Sequence, residues 1–353
     1  MRPLRLAVDA GVVDEDTRGI GRYARALLRR IAVRDDVELL LLRRGPLAFR
    51  HRARLEKALE SDRFRIRSDA PAQCADVVWH PANGTFFRTT IPAVATIHDA
   101  VPFRFPDPDE RRREHAQAPF LRSVRTAKHF IAVSEFGRNE LADVFGIAPE
   151  RVDVIYHGVE ASFAPGPAQP LPAGVPEGRY FLFVGDPTAE PRKNFPLLYD
   201  AYRRAFSADR RPPSLVVAGS GAPQLPGVID AGRISDDLHA RANDVLRALY
   251  RGAIALALAS YHETFGMPLV EAMACGTPAI ASDAGSLPEV GADAALYAPP
   301  GDADAWAAAL RRVYDDAALR DRLRTLGLER ATHFDWDESV ERHLAVFRAT
   351  AVA

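Results

Sequence analysis

Short apolar runs alternate with amphipathic stretches along the first half of the chain. The runs at 4–10 (LRLAVDA), 37–42 (VELLLL), 76–80 (DVVWH), 93–98 (AVATIH), 129–134 (HFIAVS) and 152–157 (VDVIYH) have the length and residue types of strands. Between them, IGRYARALLRRIA (20–32) and EFGRNELADVF (135–145) repeat apolar residues at helical spacing. Strand–helix alternation predicts a parallel, doubly wound sheet. Residues 161–179 then carry five prolines and three glycines, which exclude a helix or a central strand and predict a linker. The alternation restarts at 180–186, 214–219, 228–233, 253–259 and 277–283. The last segment, DWDESVERHLAVFRA (335–349), reads as one amphipathic helix with acidic residues in its first turn, where the helix dipole favours them. The expected division is a first domain over 1–160, a linker over 161–179, a second domain over 180–335, and a terminal helix over 336–353 that crosses back to the first domain. The fold class is α/β, with two doubly wound parallel-sheet domains facing a cleft at the carboxyl ends of their strands, where open sheets of this kind bind ligands.

Composition narrows the class. Of 353 residues, 47% are apolar and 26% charged, the profile of a globular protein large enough for two cores. The longest apolar run, AIALALA (253–259), is far shorter than the roughly 20 residues of a membrane-spanning helix. The first eleven residues carry no secretion pattern, and Cys74 and Cys275 stand in no metal-ligand or disulfide spacing, so a reducing cytoplasm is expected. The net charge of −1 divides unevenly: residues 1–158 hold 27 basic against 22 acidic side chains, and residues 159–353 hold 19 against 25. The basic half suits an anionic partner such as a membrane surface. Nucleic acid is not expected, because the basic patch at 109–128 has no interleaved aromatic residues. Only three of 46 basic residues are lysines, Lys57, Lys128 and Lys193, so a lysine in a loop is a choice against the trend.

Candidate chemistry concentrates at HETFGMPLVEAMACG (262–276). The run ending at Ala259 passes through a loop into a helix whose first turn takes Pro268 and which Gly276 closes. Such a helix start offers unpaired backbone N–H groups around Thr264, Phe265, Gly266 and Met267, a site for phosphate, with Gly266 letting the backbone approach. Glu271 lies about one turn inside the helix and suits a ribose; Glu263 lies on the loop beside the phosphate site. The pair therefore suits a nucleotide sugar lying along the helix start, against the plainer reading of one cap and one solvated carboxylate. Four Asp-x-Asp triplets occur, at 14–16, 107–109, 302–304 and 335–337, and three fall at expected helix starts, where capping explains them, so no metal is expected.

Residues 260–290 resemble the E-x7-E signature of the retaining glycosyltransferase family 4, which has the two-domain GT-B fold with Rossmann-like halves. RGIGRYARALL (18–28), ATIHDAVPFRFP (95–106), IAVSEFGRNEL (131–141) and FVGDPTAEPRKN (183–194) resemble further segments of that family, in its order. The resemblance implies that Glu271 holds the donor ribose, that Glu263 lies at the donor sugar, and that the backbone at 264–267 meets the diphosphate. It assigns Arg192 and Lys193 to the leaving diphosphate, where cations stabilise developing charge. Some relatives place another arginine earlier in that loop, where this chain has Asp186, Pro187 and Thr188. It puts His98 at the donor sugar, oriented by Asp99, and places Gly19, Gly21 and Ser134 on the acceptor side. Gly232, Arg233 and Ile234 form the expected wall of the base pocket. Gly19, Gly21 and Ala24 also satisfy a dinucleotide fingerprint, but they stand too far beyond the first strand for the nicotinamide reading. No cofactor is implied. The family members most similar in the IHD…RFP and PRKN segments are bacterial mannosyltransferases of lipopolysaccharide and exopolysaccharide synthesis. That favours GDP-mannose as donor and a glycan or lipid-linked acceptor, with a UDP-hexose as the rival and a location at the inner face of the cytoplasmic membrane. A glycoside hydrolase using the two glutamates, or a non-catalytic nucleotide-binding scaffold, are the alternatives from other classes.

Overall fold

A computed structural model describes residues 2–14, 16, 19–45, 48–69, 74–87, 89–167, 169–232 and 241–352. The chain separates into two compact units, Met1–Gly158 with Asp335–Ala353, and Val159–Phe334.

The first unit is built on β1 (Leu4–Asp9), β2 (Val37–Leu42), β3 (Arg65–Arg67), β4 (Val77–His80), β5 (Ala93–Ile97), β6 (His129–Ala132) and β7 (Val152–Val154). These form a parallel sheet in the order β3-β2-β1-β4-β5-β6-β7. Its helices are α1 (Gly19–Ala32), α2 (Arg52–Leu59), α3 (Val101–Arg104), α4 (Glu110–Thr126) and α5 (Glu135–Phe145). The central strands are buried at every position in β4 and β5, which is why they read as unbroken apolar runs and not as alternating ones. Only β3 escapes the hydrophobic pattern. Its sequence, RIR, lies at the sheet edge with both arginines exposed.

The second unit repeats the plan with β8 (Tyr180–Val184), β9 (Ser214–Ala218), β10 (Val228–Asp230), β11 (Ala255–Leu258), β12 (Ala279–Ser282) and β13 (Leu296–Ala298), in the parallel order β10-β9-β8-β11-β12-β13. Its helices are α6 (Phe195–Phe206), α7 (Arg241–Gly252), α8 (Met267–Ala274), α9 (Leu287–Gly291), α10 (Ala303–Asp315) and α11 (Ala317–Ala331). A core of buried Phe181, Phe183, Leu198, Leu215, Trp306 and Leu310 joins the sheet to α6 and α10. Strand order reverses between β8 and β11, so the loops leaving those two strands diverge at their carboxyl ends and leave room there.

The proline-rich 161–179 stretch has no regular element among its described residues, and it is docked on the second unit. Arg251 Nε donates to the Ala164 carbonyl at 2.7 Å and Arg247 Nη1 to that of Ser162 at 3.2 Å. The terminal helix α12 (Trp336–Val352) packs within the first unit by Trp336, Val340, Leu344 and Phe347, all buried along one helical face. Three of the Asp-x-Asp triplets cap helices: Asp109 accepts from the Arg112 amide, Asp302 from those of Asp304 and Ala305, and Asp335 from those of Asp337 and Glu338. In the fourth, Asp14 is buried against Arg43 and His51, with Oδ2 2.7 Å from His51 Nδ1.

Candidate active site

Two of the segments singled out by sequence meet at the reversal point of the second sheet. The loop after β8 turns through an Asx turn, in which Asp186 Oδ1 accepts from the Thr188 and Ala189 amides. It ends in a single 3-10 turn, Pro191–Lys193, that presents both cations. The loop after β11 brings Glu263 to the same place. Lys193 Nζ lies 2.8 Å and Arg192 Nη1 3.5 Å from Glu263 Oε1, and the Ser260 hydroxyl donates to that oxygen at 2.9 Å. Arg192 Nη2 also contacts Glu190 Oε1 at 2.8 Å. Burial pushes the Glu263 carboxyl upward, but the Lys193 and Arg192 charges outweigh it, with help from the hydrogen bonds of Lys193 and Ser260, so the group sits below the usual carboxylate range. The loops are cross-tied by backbone: the Tyr261 amide donates to the Arg192 carbonyl at 2.8 Å, and the Ser286 amide and hydroxyl, from the loop after β12, donate to the Glu263 carbonyl at 2.8 and 3.0 Å.

Helix α8 leaves this loop directly. Gly266 caps it with φ of +85°, and a Cβ there would fall 2.6 Å from a Leu287 methyl. The glycine is therefore demanded by the backbone and by packing on α9, a different reason from the phosphate clearance expected of it. The amides of Gly266 and Met267 make no hydrogen bond among the described residues and form the unsatisfied start of the helix. Thr264 and Phe265 have buried side chains, the latter edge-on to Phe334 at 5.7 Å. Glu271 is buried at 1% exposure and its Oε2 accepts from the Tyr250 hydroxyl of α7 at 2.9 Å. It is therefore held, not solvated. Gly232 sits just beyond β10 in a left-handed turn, its carbonyl accepting from the Gly219 amide at 3.1 Å. Arg233 and Ile234 lie outside the described residues.

The residues assigned to the first unit have other employment. His98 is buried just beyond β5. Its Nε2 donates to the Pro81 carbonyl at 2.8 Å and its ring meets Tyr23 edge-on at 4.6 Å. Burial holds its pKa below the ordinary histidine value, against the upward pull of the Pro81 carbonyl and of Asp99 and Asp16. Asp99 does not orient it: its Oδ1 accepts from the Val101 amide at 3.1 Å and opens α3. Ser134 is buried and caps α5, its Oγ accepting from the Gly137 amide at 2.9 Å. A Cβ at Gly21 would lie 1.9 Å from the Asp16 carbonyl oxygen, so this glycine serves a close backbone crossing; Gly19 has open space around it.

The sequence reading overlooked Glu190, Ser260 and Tyr250, which complete the ionic cluster and hold Glu271. Glu190 lies inside the FVGDPTAEPRKN segment, but a carboxylate just before two cations carries no signature of its own. Also overlooked was the reversal point of the first sheet, where His80, ending β4, is fully buried with neither ring nitrogen hydrogen-bonded. Its Nδ1 lies 3.6 Å from Asp9 Oδ2. His80 lines a recess of about 630 Å³ with Phe87, Ile91, Leu121, Arg122 and Arg125.

This arrangement, two parallel-sheet units with paired cations, a buried carboxylate and an open helix start at one reversal point, defines a glycosyltransferase of the GT-B type. Residues 173–330 match the model of the glycosyl transferases group 1, and residues 17–163 that of Glycosyltransferase Family 4. The chain is 28% identical to the O-antigen chain mannosyltransferase B of Escherichia coli, over 94% of this chain and 96% of that one. It is 30% identical to the D-inositol 3-phosphate glycosyltransferase of Jonesia denitrificans, over 75% of this chain and 68% of that one. Among solved structures, Anabaena HepE in complex with UDP and glucose superposes with a TM-score of 0.69 at 16% identity, covering 98% of this chain and all of that one. The chain belongs to the family 4 glycosyltransferases.

Proposed function

We propose that this protein transfers mannose from GDP-mannose to a hydroxyl of a glycan or lipid-linked acceptor in cell-surface polysaccharide synthesis, with retention at the anomeric carbon and without a metal. The observation that carries the reading is the convergence of Lys193, Arg192 and Glu263 beside the unsatisfied amides of Gly266 and Met267. In the free enzyme Glu263 balances the two cations. A bound diphosphate takes their charge, and the freed Glu263 carboxylate accepts hydroxyls of the donor sugar. The acceptor hydroxyl attacks the anomeric carbon on the face from which the nucleotide leaves. The bond from that carbon to the phosphate oxygen breaks, and this oxygen receives the acceptor's proton. Arg192, Lys193 and the amides hold the leaving charge, so the step calls for no ion. Glu271 takes the ribose hydroxyls. His98, neutral at pH 7 because burial lowers its pKa, is assigned to the donor sugar as an uncharged hydrogen-bonding group on the family resemblance.

Mannose rests on the O-antigen mannosyltransferase relative, and a lipid-linked or glycan acceptor on the same likeness. The rival, a UDP-hexose, is favoured by HepE, a neighbour in fold that binds UDP and glucose. Thermal-shift titration with GDP, UDP, ADP and dTDP and their common sugars decides between them, and transfer from GDP-mannose unaffected by EDTA is the expected result. A stronger shift and turnover with UDP-glucose would overturn the mannose assignment; hydrolysis of a glycoside with no nucleotide affinity would overturn the family mechanism as well.

We place the acceptor in the His80 recess, whose apolar walls and arginine rim suit an amphiphile bearing phosphate. His80→Ala is expected to raise the acceptor KM and leave the donor KM unchanged. Peripheral membrane contact is supported by α4, where Arg111, His115, Arg122 and Arg125 are exposed along one helical face, with Leu121 and Phe105 exposed nearby. Among the described residues no helix is long and apolar enough to cross a membrane. Reversing Arg111, Arg122 and Arg125 to glutamate should abolish sedimentation with anionic liposomes at about 0.1 M salt, at about 1 kcal/mol lost per arginine.

A further inference from the structure

Some arginines of the second unit meet carboxylates: Arg204 pairs with Asp200 and Asp304, Arg311 with Asp209 and Asp315, and Arg247 with Asp244. Four others gather in one place without such a partner. Arg179 before β8, Arg251 near the end of α7, and Arg320 and Arg324 on α11 line one recess of about 440 Å³, and among the described residues none of them forms an ion pair. Each is fixed by neutral backbone oxygens instead. Arg179 Nη2 donates to the Arg211 carbonyl at 2.7 Å, and Arg251 Nε to that of Ala164 at 2.7 Å. Arg320 Nη1 donates to the carbonyls of Val313 and Tyr314, each at 2.7 Å, and Arg324 Nε to that of Gly276 at 3.1 Å.

Carbonyl oxygens aim a guanidinium without cancelling its charge, and each guanidinium has five N–H donors, so even Arg251, whose Nε and Nη2 donate to the Ala164 and Pro165 carbonyls, keeps its Nη1 donors for a ligand. The acidic liner of the recess is Glu177, which is exposed, so the liners carry a net charge of about +3 inside a unit whose sequence is acidic overall. Like charges gathered this way repel, and the arrangement is stabilised when an anion enters. The segment before β8 is shaped around it: a Cβ at Gly166 would lie 2.8 Å from Arg251 Nη1, so a glycine there lets the guanidinium lie across the chain. The recess opens at the amino-terminal ends of the strands, beside Ala253 and Ile254, which precede β11. Lys193 and Glu263 stand beyond the carboxyl ends of β8 and β11, at the opposite edge of the sheet.

We propose that this recess is a second anion site, which binds a small polyanion bearing two or more phosphate groups between the 164–179 segment, α7 and α11. Planar guanidinium forks match phosphate oxygens in pairs, and four forks around a space of this size exceed what one phosphate can occupy. An occupant bridges the proline-rich segment to α11, so the site acts on the stability of the second unit and not on the reacting atoms. The assignment does not depend on the donor or acceptor proposed above.

Calorimetric titration of the full chain with inorganic tripolyphosphate tests it, because the Lys193 cluster can be silenced separately. The wild type is expected to show two binding events. Lys193→Gln should lose one. Arg320→Gln with Arg324→Gln should lose the other, weakening it by about tenfold or more for each arginine removed. Tripolyphosphate should raise the Tm of the Lys193→Gln variant and leave unmoved that of the variant carrying Lys193→Gln, Arg320→Gln and Arg324→Gln together. Arg324 is exposed, so Arg324→Gln alone keeps the test readable if the double variant misfolds, with about a tenfold loss expected. Unchanged binding in the arginine variants, or a single wild-type event that Lys193→Gln removes, would overturn the site. Orthophosphate binding as tightly as tripolyphosphate would overturn the polyanion.

Discussion

At the carboxyl edge of the second sheet, Lys193 and Arg192 converge on one buried carboxylate. At the same edge of the first sheet, Trp79, Thr96, Tyr23 and His343 are joined by an uncharged relay. Trp79 Nε1 donates to Thr96 Oγ1 at 2.9 Å, and the Thr96 and Tyr23 hydroxyls are 3.1 Å apart. Tyr23 Oη is 2.6 Å from His343 Nε2, and His343 Nδ1 is 2.6 Å from the Ser339 carbonyl. That carbonyl can only accept, so Nδ1 carries the proton and Nε2 accepts from Tyr23; Thr96 must then donate to Tyr23. The two edges share a strand plan and differ in what they are built to lose. The charged one holds a countercharge that a ligand can replace. The neutral one has every donor committed, so its weak point is an extra proton.

The largest effect that separates the two belongs to Lys193. Lys193→Ala should lower turnover by about 10² to 10³, the loss seen when one group stabilising developing charge is removed. It should also destabilise the second unit by about 3 kcal/mol, because Glu263 stays buried with a weaker counterion. Adding Glu263→Gln should restore stability, read from urea unfolding, without restoring turnover. If stability and activity recover together, the cluster is a structural ion pair and the contrast between the edges fails.

Glu271 sharpens the charged side. Its carboxylate is occupied by the Tyr250 hydroxyl, so a structural role and a ribose-binding role both fit its burial. Glu271→Ala should weaken nucleotide binding by about tenfold to a hundredfold, as when a charged hydrogen-bonding group is lost. Tyr250→Phe removes only the neutral partner and should cost about 1 kcal/mol of stability while nucleotide affinity stays within a few-fold. Equal loss of affinity in both variants, measured by calorimetry, would reduce Glu271 to a support for α7. Lost turnover with intact affinity in Glu271→Ala would favour the hydrolase reading.

Much of this was legible because parallel strands buried on both faces leave continuous apolar runs. VELLLL gave β2 to the residue, and EFGRNELADVF gave α5. RIR and LYA, three-residue edge strands, had too little apolar surface to stand out as β3 and β13. In the candidate site, Arg192, Lys193 and Glu263 could be singled out because each stands in a short loop next to its strand, where sequence distance approximates spatial distance. Asp99 and Ser134 misled for the converse reason. Short polar residues at strand ends serve equally as caps and as ligands, and the choice rests on backbone N–H groups that a linear sequence does not display. The relay through His343 joins residues 320 positions apart, which no local pattern can register.

That relay supplies the smallest and most specific test. His343 is buried in the first unit and its pKa falls to about 4, chiefly by burial, with further lowering from His98 and Arg342 against the raising effect of the Ser339 carbonyl. The unfolded chain binds this proton near pH 6.5, so between about pH 6.5 and 4 the unfolded state takes up more protons than the folded one. The stabilisation is thus complete above pH 6.5 and is lost as pH falls toward 4. His98 and His157, also buried with lowered pKa values, act in the same direction. Protonation of Nε2 would set two donors against each other at Tyr23, so the relay cannot absorb it. His343→Gln keeps a side-chain acceptor for Tyr23 and removes the titration. It should unfold at nearly the wild-type Tm at pH 7.5 and lose less stability on going to pH 5, by on the order of 1 kcal/mol. Parallel Tm-versus-pH curves for the two proteins would show that the proton enters elsewhere. Steeper loss in wild type confined to the unit that contains α12, read by hydrogen exchange, would fix the neutral relay as the point where acid opens this fold.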